Sequence, residues 1–219
     1  NGDNKAETRL RELTINHNNG ELFNFALKGN TSNWVDGVDF SKKTYCTSKG
    51  ITNDVAFIDR VVIADVDANG NMIGNPLLDN MSHDNGGYAD FTGTPVKSPA
   101  KPTTRKLLVL YPGQKLMSKP FWTVWIDYNQ NGVFDDNEII VKANDYNISK
   151  AFVIPFDAAT GLLTMRVSLK ENSFPSACEE DGVNGNSFIG EVEDYILDAD
   201  LWNTAGPIHT SNSLNNNDK

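Results

Sequence analysis

Apolar residues along this chain come in runs of strand length, and almost nowhere at the three-to-four spacing of an amphipathic helix. The runs are 22–27, 56–64, 106–110, 121–126, 138–142, 151–155, 162–169 and 192–197. Within the 162–169 run, Leu163, Met165, Val167 and Leu169 share one face, and Thr164, Arg166 and Ser168 share the other. Breakers such as Asn85-Gly86-Gly87, Tyr111-Pro112-Gly113 and Thr160-Gly161 separate the runs. Many short strands with turn residues between them predict an all-β chain. The expected fold is an antiparallel β-sandwich, jelly-roll-like in character.

The first 36 residues read as a separate piece. Leu13-Thr14-Ile15 and Leu22 to Leu27 flank His17-Asn18-Asn19-Gly20, which predicts an extra N-terminal β-hairpin or the tail of a preceding segment. The sandwich is expected over 37–200, and 201–219 reads as a linker-like tail of low complexity. The start at Asn1-Gly2-Asp3-Asn4 has no signal-peptide character, so the chain reads as a mature form or an excised fragment. Lys and Arg number 19 against 29 Asp and Glu, a formal charge of −10. That sign argues against nucleic acid and anionic membranes as main partners, because both would repel it. No apolar run approaches the roughly 20 residues of a membrane span. Cys46 and Cys178 read equally well as two buried thiols or as one long-range bridge, depending on compartment.

The sharpest chemical signal is the stretch Asp127 to Glu138. Oxygen side chains stand at Asp127, Asn129, Asn131 and Asp135, Gly132 sits sixth, Val133 offers its carbonyl seventh, and Glu138 closes the twelve. Ca²⁺ wants six to eight oxygens, and alternate residues of a tight loop can turn them inward. The flanking runs are strand-like, so the expectation is a calcium-type loop in a β-hairpin rather than between helices. The plain alternative is an acidic Asn-Gly turn that needs no metal. A weaker version begins at Asp65, Asp67 and Asn69, but Pro76 stands where the closing carboxylate belongs, and a polar hairpin turn explains it better.

From Cys178 to Asp200 there are eight carboxylates and no Lys or Arg. Such density needs compensation by a cation or an arginine, with Arg166 on a neighbouring strand as one partner and Ca²⁺ as another. Glu191, Glu193 and Asp194 are therefore further candidates for holding metal.

That segment contains Gly190-Glu191-Val192-Glu193-Asp194-Tyr195, which resembles the signature of the GEVED domain. Other stretches agree in order: Tyr45-Cys46-Thr47-Ser48, Gly87 to Thr92, Val124 to Phe134, Ala158 to Gly161, Met165 to Ser168 and Ala177-Cys178. The resemblance covers roughly 44–199, and the stretch from Asp65 to Asp79 is longer than the family pattern leads one to expect. It implies a β-sandwich in a secreted or cell-surface bacterial protein, accessory to other domains of the parent chain. It also implies that Cys46 and Cys178 pair.

Nothing in the chain spells a catalytic constellation. His17, His83 and His209 are isolated, and no zinc spacing, nucleophile elbow or phosphate loop is present. Two-carboxylate glycosidase chemistry is the remaining enzymatic alternative, since acids are abundant. For ligand binding, Trp125 shares a face with Thr123 and Asp127 and is the candidate surface platform, while Trp34 and Trp202 flank the domain. The expected function is that of a non-catalytic, Ca²⁺-binding accessory module acting on an extracellular protein or polysaccharide. The alternative is an adhesion or spacer module with no soluble ligand.

Overall fold

The computed structural model describes residues 9–10, 20–21, 44–52, 54–97, 105–113, 116–155, 158–159 and 161–198. The chain divides into two compact units, Asn1–Lys43 and Thr44–Lys219. In the first, β1 (Arg9–Leu10) pairs antiparallel with β2 (Gly20–Glu21). The expected strands at 13–15 and 22–27 lie outside the described residues, as do Trp34, His17, Trp202, His209 and the tail from 201.

The second unit holds the sandwich. One sheet has four strands in the order β10-β7-β3-β4, with β3 (Ile58–Val66), β4 (Met72–Asn80), β7 (Lys106–Pro112) and β10 (Ile148–Phe152). The other runs β5-β12-β11-β8-β9, from β5 (Tyr88–Asp90), β8 (Phe121–Ile126), β9 (Ile139–Asn144), β11 (Leu162–Lys170) and β12 (Gly190–Asp198). The short β6 (Val96–Lys97) also pairs with β12. All neighbours are antiparallel except β5 and β6, which run parallel to β12.

Alternation decides what each face buries. Trp122, Val124 and Ile126 of β8, Leu163, Met165, Val167 and Leu169 of β11, and Tyr195 and Leu197 of β12 face the opposite sheet. They meet Ile58, Val61 and Ile63 of β3, Leu108 and Leu110 of β7, and Ile148 and Phe152 of β10. The other face of the larger sheet is buried as well: Thr123, Trp125, Thr164, Arg166, Ser168 and Lys170 are all under 9% exposed.

The cover is irregular chain. Residues 44–52 and 171–189 lie over that face, joined by the isolated bridges Lys49 to Glu180 and Ile51 to Ile189. The Cys46–Cys178 disulfide ties the two arms across 132 residues of sequence. Side chains beneath reach up to them: Thr123 donates to the Pro175 carbonyl at 3.2 Å, and Lys170 pairs with Glu179. The domain therefore has two sheets and a third, largely loop-built layer.

Candidate functional site

The loop from Asp127 to Glu138 joins β8 to β9, where the pairing of the two strands slips by a residue at Trp125. Its backbone is drawn together by its own side chains. Asp127 Oδ1 accepts from the Asn131 N–H at 3.1 Å, and Oδ2 accepts from the Gly132 N–H at 3.0 Å. Asn129 Oδ1 accepts from the Asn131 N–H at 2.8 Å, and Asn131 Oδ1 from the Val133 N–H at 2.7 Å. These successive Asx turns curl the chain around its polar side chains. Gly132 has φ of +82°, the left-handed conformation that glycine adopts without penalty.

Two carboxylates sit at the base. Asp127 is fully buried and Glu138 is 2% exposed. Glu138 clasps backbone: Oε1 accepts from the Tyr128 N–H at 2.9 Å and the Asn129 N–H at 3.3 Å, and Oε2 from the Asp135 N–H at 3.0 Å. Burial pushes its pKa up, and those amides pull against the shift. Asp127 Oδ2 also accepts from the Tyr45 hydroxyl at 2.7 Å, while Asp135 accepts from the Asn131 amide at 3.0 Å. Val133 turns its side chain outward at 52% exposure, as suits a residue contributing only its carbonyl.

Donor type fits a hard cation, since every candidate ligand atom in the loop is an oxygen and none is sulfur or imidazole nitrogen. The conformation fits too, with Asx turns at Asn129 and Asn131, Asp127 reaching the amides of Asn131 and Gly132, and the sharp turn at Gly132. Glu138 closes the loop from its far end, both its oxygens being bonded to the loop amides of Tyr128, Asn129 and Asp135. Among the described residues, no three His, Cys, Asp or Glu side chains converge as a metal cluster, so any cation here depends on the two Asn oxygens as well.

The remaining acidic candidates are spread apart. Asp194 lies on the outer face of β12, where Arg166 Nε and Nη2 reach its two oxygens at 2.7 Å each and the Tyr88 hydroxyl donates at 3.2 Å. Glu191 and Glu193 lie on the opposite face, toward the four-stranded sheet. Glu191 accepts from the Ile58 and Asn85 N–H groups at 2.8 Å each, and burial pushes its pKa up to about 7. Glu193 accepts from the Tyr195 hydroxyl at 2.6 Å, and burial pushes it up to about 8. Glu191 and Glu193 thus share neither a face with Asp194 nor a site with the 127–138 loop.

In the β3–β4 turn, Asp67 Oδ1 accepts from the Asn69 and Asn71 N–H groups at 2.9 and 2.8 Å, with Asn69 exposed. Asp65 points away to the buried Lys106 at 2.6 Å. The segment has the hydrogen bonding of a polar hairpin turn, and Asp65 is committed elsewhere.

Trp125 requires a correction. It is 3% exposed and offers no surface platform, because Phe134 of the loop packs on it with centroids 6.2 Å apart. The outer face of β8 looked solvent-facing by alternation alone, and the irregular layer that covers it has no period to read. The same layer hid Tyr45–Asp127 and Lys170–Glu179, contacts between residues that no spacing rule joins. Arg166 was legible as the partner of the acidic strand; that it takes Asp194, two-pronged, was not.

At one end of the four-stranded sheet, Asp59, Arg60, Met81, Tyr111, Tyr146 and Asn147 line an open cleft of about 460 Å³. Arg60 lies over the Tyr111 ring at 5.9 Å and pairs with Asp79 at 2.6 Å. His83 is 65% exposed at a turn, beside Asp59 at 2.8 Å.

Residues 121–198, from β8 through β12, match the model of the GEVED domain family. No curated protein and no solved structure matches the chain.

Proposed function

We propose that this chain, whose residues 121–198 match the GEVED domain, is a non-catalytic accessory module of a secreted bacterial multidomain protein, stabilised by Ca²⁺ at the 127–138 loop. The observation that carries the reading is the curl of that loop, where Asp127, Asn129 and Asn131 each accept from backbone N–H groups further along it. Side-chain oxygens of Asp127, Asn129, Asn131 and Asp135 with the Val133 carbonyl would hold the ion, and Glu138 serves through its amide clasp. Bound Ca²⁺ supplies positive charge to Asp127, Asp135 and Glu138, which form no ion pair with Lys or Arg among the described residues.

The Cys46–Cys178 bridge supports an oxidising, extracellular setting, and no helix of the described residues is long and apolar enough to cross a membrane. The task is to bind or present an extracellular protein or polysaccharide for other domains of the parent chain. The cleft with Tyr111 and Tyr146 supplies aromatic and polar groups for such contact.

Thermal melts in 2 mM Ca²⁺ and in excess EDTA test the metal. The expected result is a melting temperature several degrees higher with Ca²⁺, lost in Asp127→Asn; ligand at about 100 times its Kd stabilises by about 2.7 kcal/mol. Identical melts would reduce the loop to an acidic turn. Retention on insoluble polysaccharide or collagen supports the presenting role, whereas self-association alone favours an adhesion or spacer module.

A further inference from the structure

We infer that Tyr45, Phe134 and Arg166 are positioning residues that couple the Cys46–Cys178 disulfide to the 127–138 loop, so that reducing the bridge weakens cation binding there. The inference rests on the calcium reading of the loop, but the contacts behind it do not.

Tyr45 precedes one half of the bridge. Its hydroxyl donates to Asp127 Oδ2 at 2.7 Å, and its ring stacks on Phe134 with centroids 4.7 Å apart and planes at 23°. One residue thus grips the first and eighth positions of the loop. Phe134 is 7% exposed, and the Arg166 guanidinium carbon lies over its ring, 4.9 Å from the centroid. The same guanidinium holds both arms of the bridge. Its Nη1 donates to the Cys46 carbonyl at 3.0 Å and to the Ala177 carbonyl at 2.6 Å, while Nε and Nη2 are fixed on Asp194. Arg166, Phe134, Tyr45, Cys46, Cys178 and Ala177 therefore close a ring of contacts, with Asp127 bonded to it through the Tyr45 hydroxyl.

Reduction opens that ring at its covalent link. With dithiothreitol, a thiolate attacks one bridge sulfur and its second thiol resolves the mixed disulfide. Two electrons and two protons pass to the protein, leaving Cys46 and Cys178 as thiols and the reagent as its cyclic disulfide. The arm bearing Tyr45 is then held by hydrogen bonds and the Phe134 stack alone, and the Asp127 and Phe134 contacts lose their covalent anchor. Coupling of this kind is reciprocal: the factor by which reduction weakens cation binding is the factor by which the cation disfavours reduction.

The test uses the full chain with Ca²⁺ as probe. Calorimetry on the oxidised and dithiothreitol-reduced forms should show affinity about tenfold lower after reduction, within the usual range for coupled sites. Bridge reduction at graded dithiothreitol should shift by the same factor between Ca²⁺ and EDTA. Phe134→Leu should abolish the shift with the bridge still formed, and Phe134→Tyr should restore it. Equal Ca²⁺ affinity in folded oxidised and reduced protein would overturn the coupling. Should the reduced chain unfold, or the oxidised chain bind no Ca²⁺, the rate of bridge reduction in EDTA decides. Faster reduction in Phe134→Leu and Tyr45→Phe than in wild type upholds the link between bridge and loop, and equal rates refute it. Absence of Ca²⁺ heat in the oxidised chain refutes the calcium reading separately.

Discussion

Glu193 and Asp194 are adjacent in sequence and electrostatically opposite in the fold. Asp194 meets a guanidinium on the outer face of β12, a two-pronged geometry that Lys cannot reproduce. Glu193 faces inward with no exposure, near Ser82, Asn80, Tyr195 and Glu191. Its Oε2 takes the Tyr195 hydroxyl, and its Oε1 has no hydrogen-bond partner among the described residues, since Ser82 donates instead to the Ile58 carbonyl. Desolvation, and to a lesser degree the charge of Glu191, raise its pKa from 4.5 to about 8. A raised acid means that the folded state binds a proton the unfolded chain has already released. Stability should then be fully present below about pH 4.5, fall as pH rises toward about 8, and level off above. Glu193→Gln removes that ionisation. Its chemical-denaturation free energy should match wild type near pH 5 and exceed it at pH 9 by about 4 kcal/mol. Some slope should persist up to about pH 7, from Glu191. Parallel profiles for the two proteins would mean Glu193 is not the group responsible.

At the level of elements, what was legible followed alternation. Runs 121–126 and 162–169 coincide with β8 and β11 to within a residue, because one face of each is uniformly apolar and buried. β4 escaped notice for the opposite reason: Gly74 and Pro76 interrupt it, and its first five residues are exposed, so burial left no mark on its composition. β5 and β6 are two or three residues long and are made by parallel pairing with β12, a long-range event without a local signal. The 127–138 loop was readable because its ligand-type spacing is local, whereas the layer that covers Trp125 was not. Gly190 marks where that layer meets β12. Its φ is +157°, and a Cβ placed there would stand 1.9 Å from the Leu169 carbonyl oxygen, on the backbone of β11. Backbone cannot move aside without breaking the β11–β12 ladder, so Gly190→Ala should destabilise the domain by about 3 kcal/mol or more. Urea titration of the variant measures this, and an unchanged midpoint would mean that the strand can shift its end freely.

Over the whole molecule, stability is divided unequally between layers. The two sheets bury a continuous core between them. The third layer has no regular strand of its own; two isolated bridges join its arms to each other, and it meets the sheet through Arg166, Lys170 and Thr123. Buried ion pairs of this kind add little net stability, since desolvation offsets most of their attraction. The disulfide is therefore the term that decides whether the layer stays closed. By chain entropy, a bridge spanning 132 residues should contribute about 4 to 5 kcal/mol, mainly by restricting the unfolded chain. A Cys46→Ala/Cys178→Ala double variant should lose that amount in urea unfolding while the sheets keep their far-UV signature. The near-UV signal of Trp125 should weaken first, because the cover over it is what the bridge holds in place. A loss below about 1 kcal/mol would mean that Arg166 and its partners close the layer unaided, and the bridge would then serve kinetics rather than equilibrium stability.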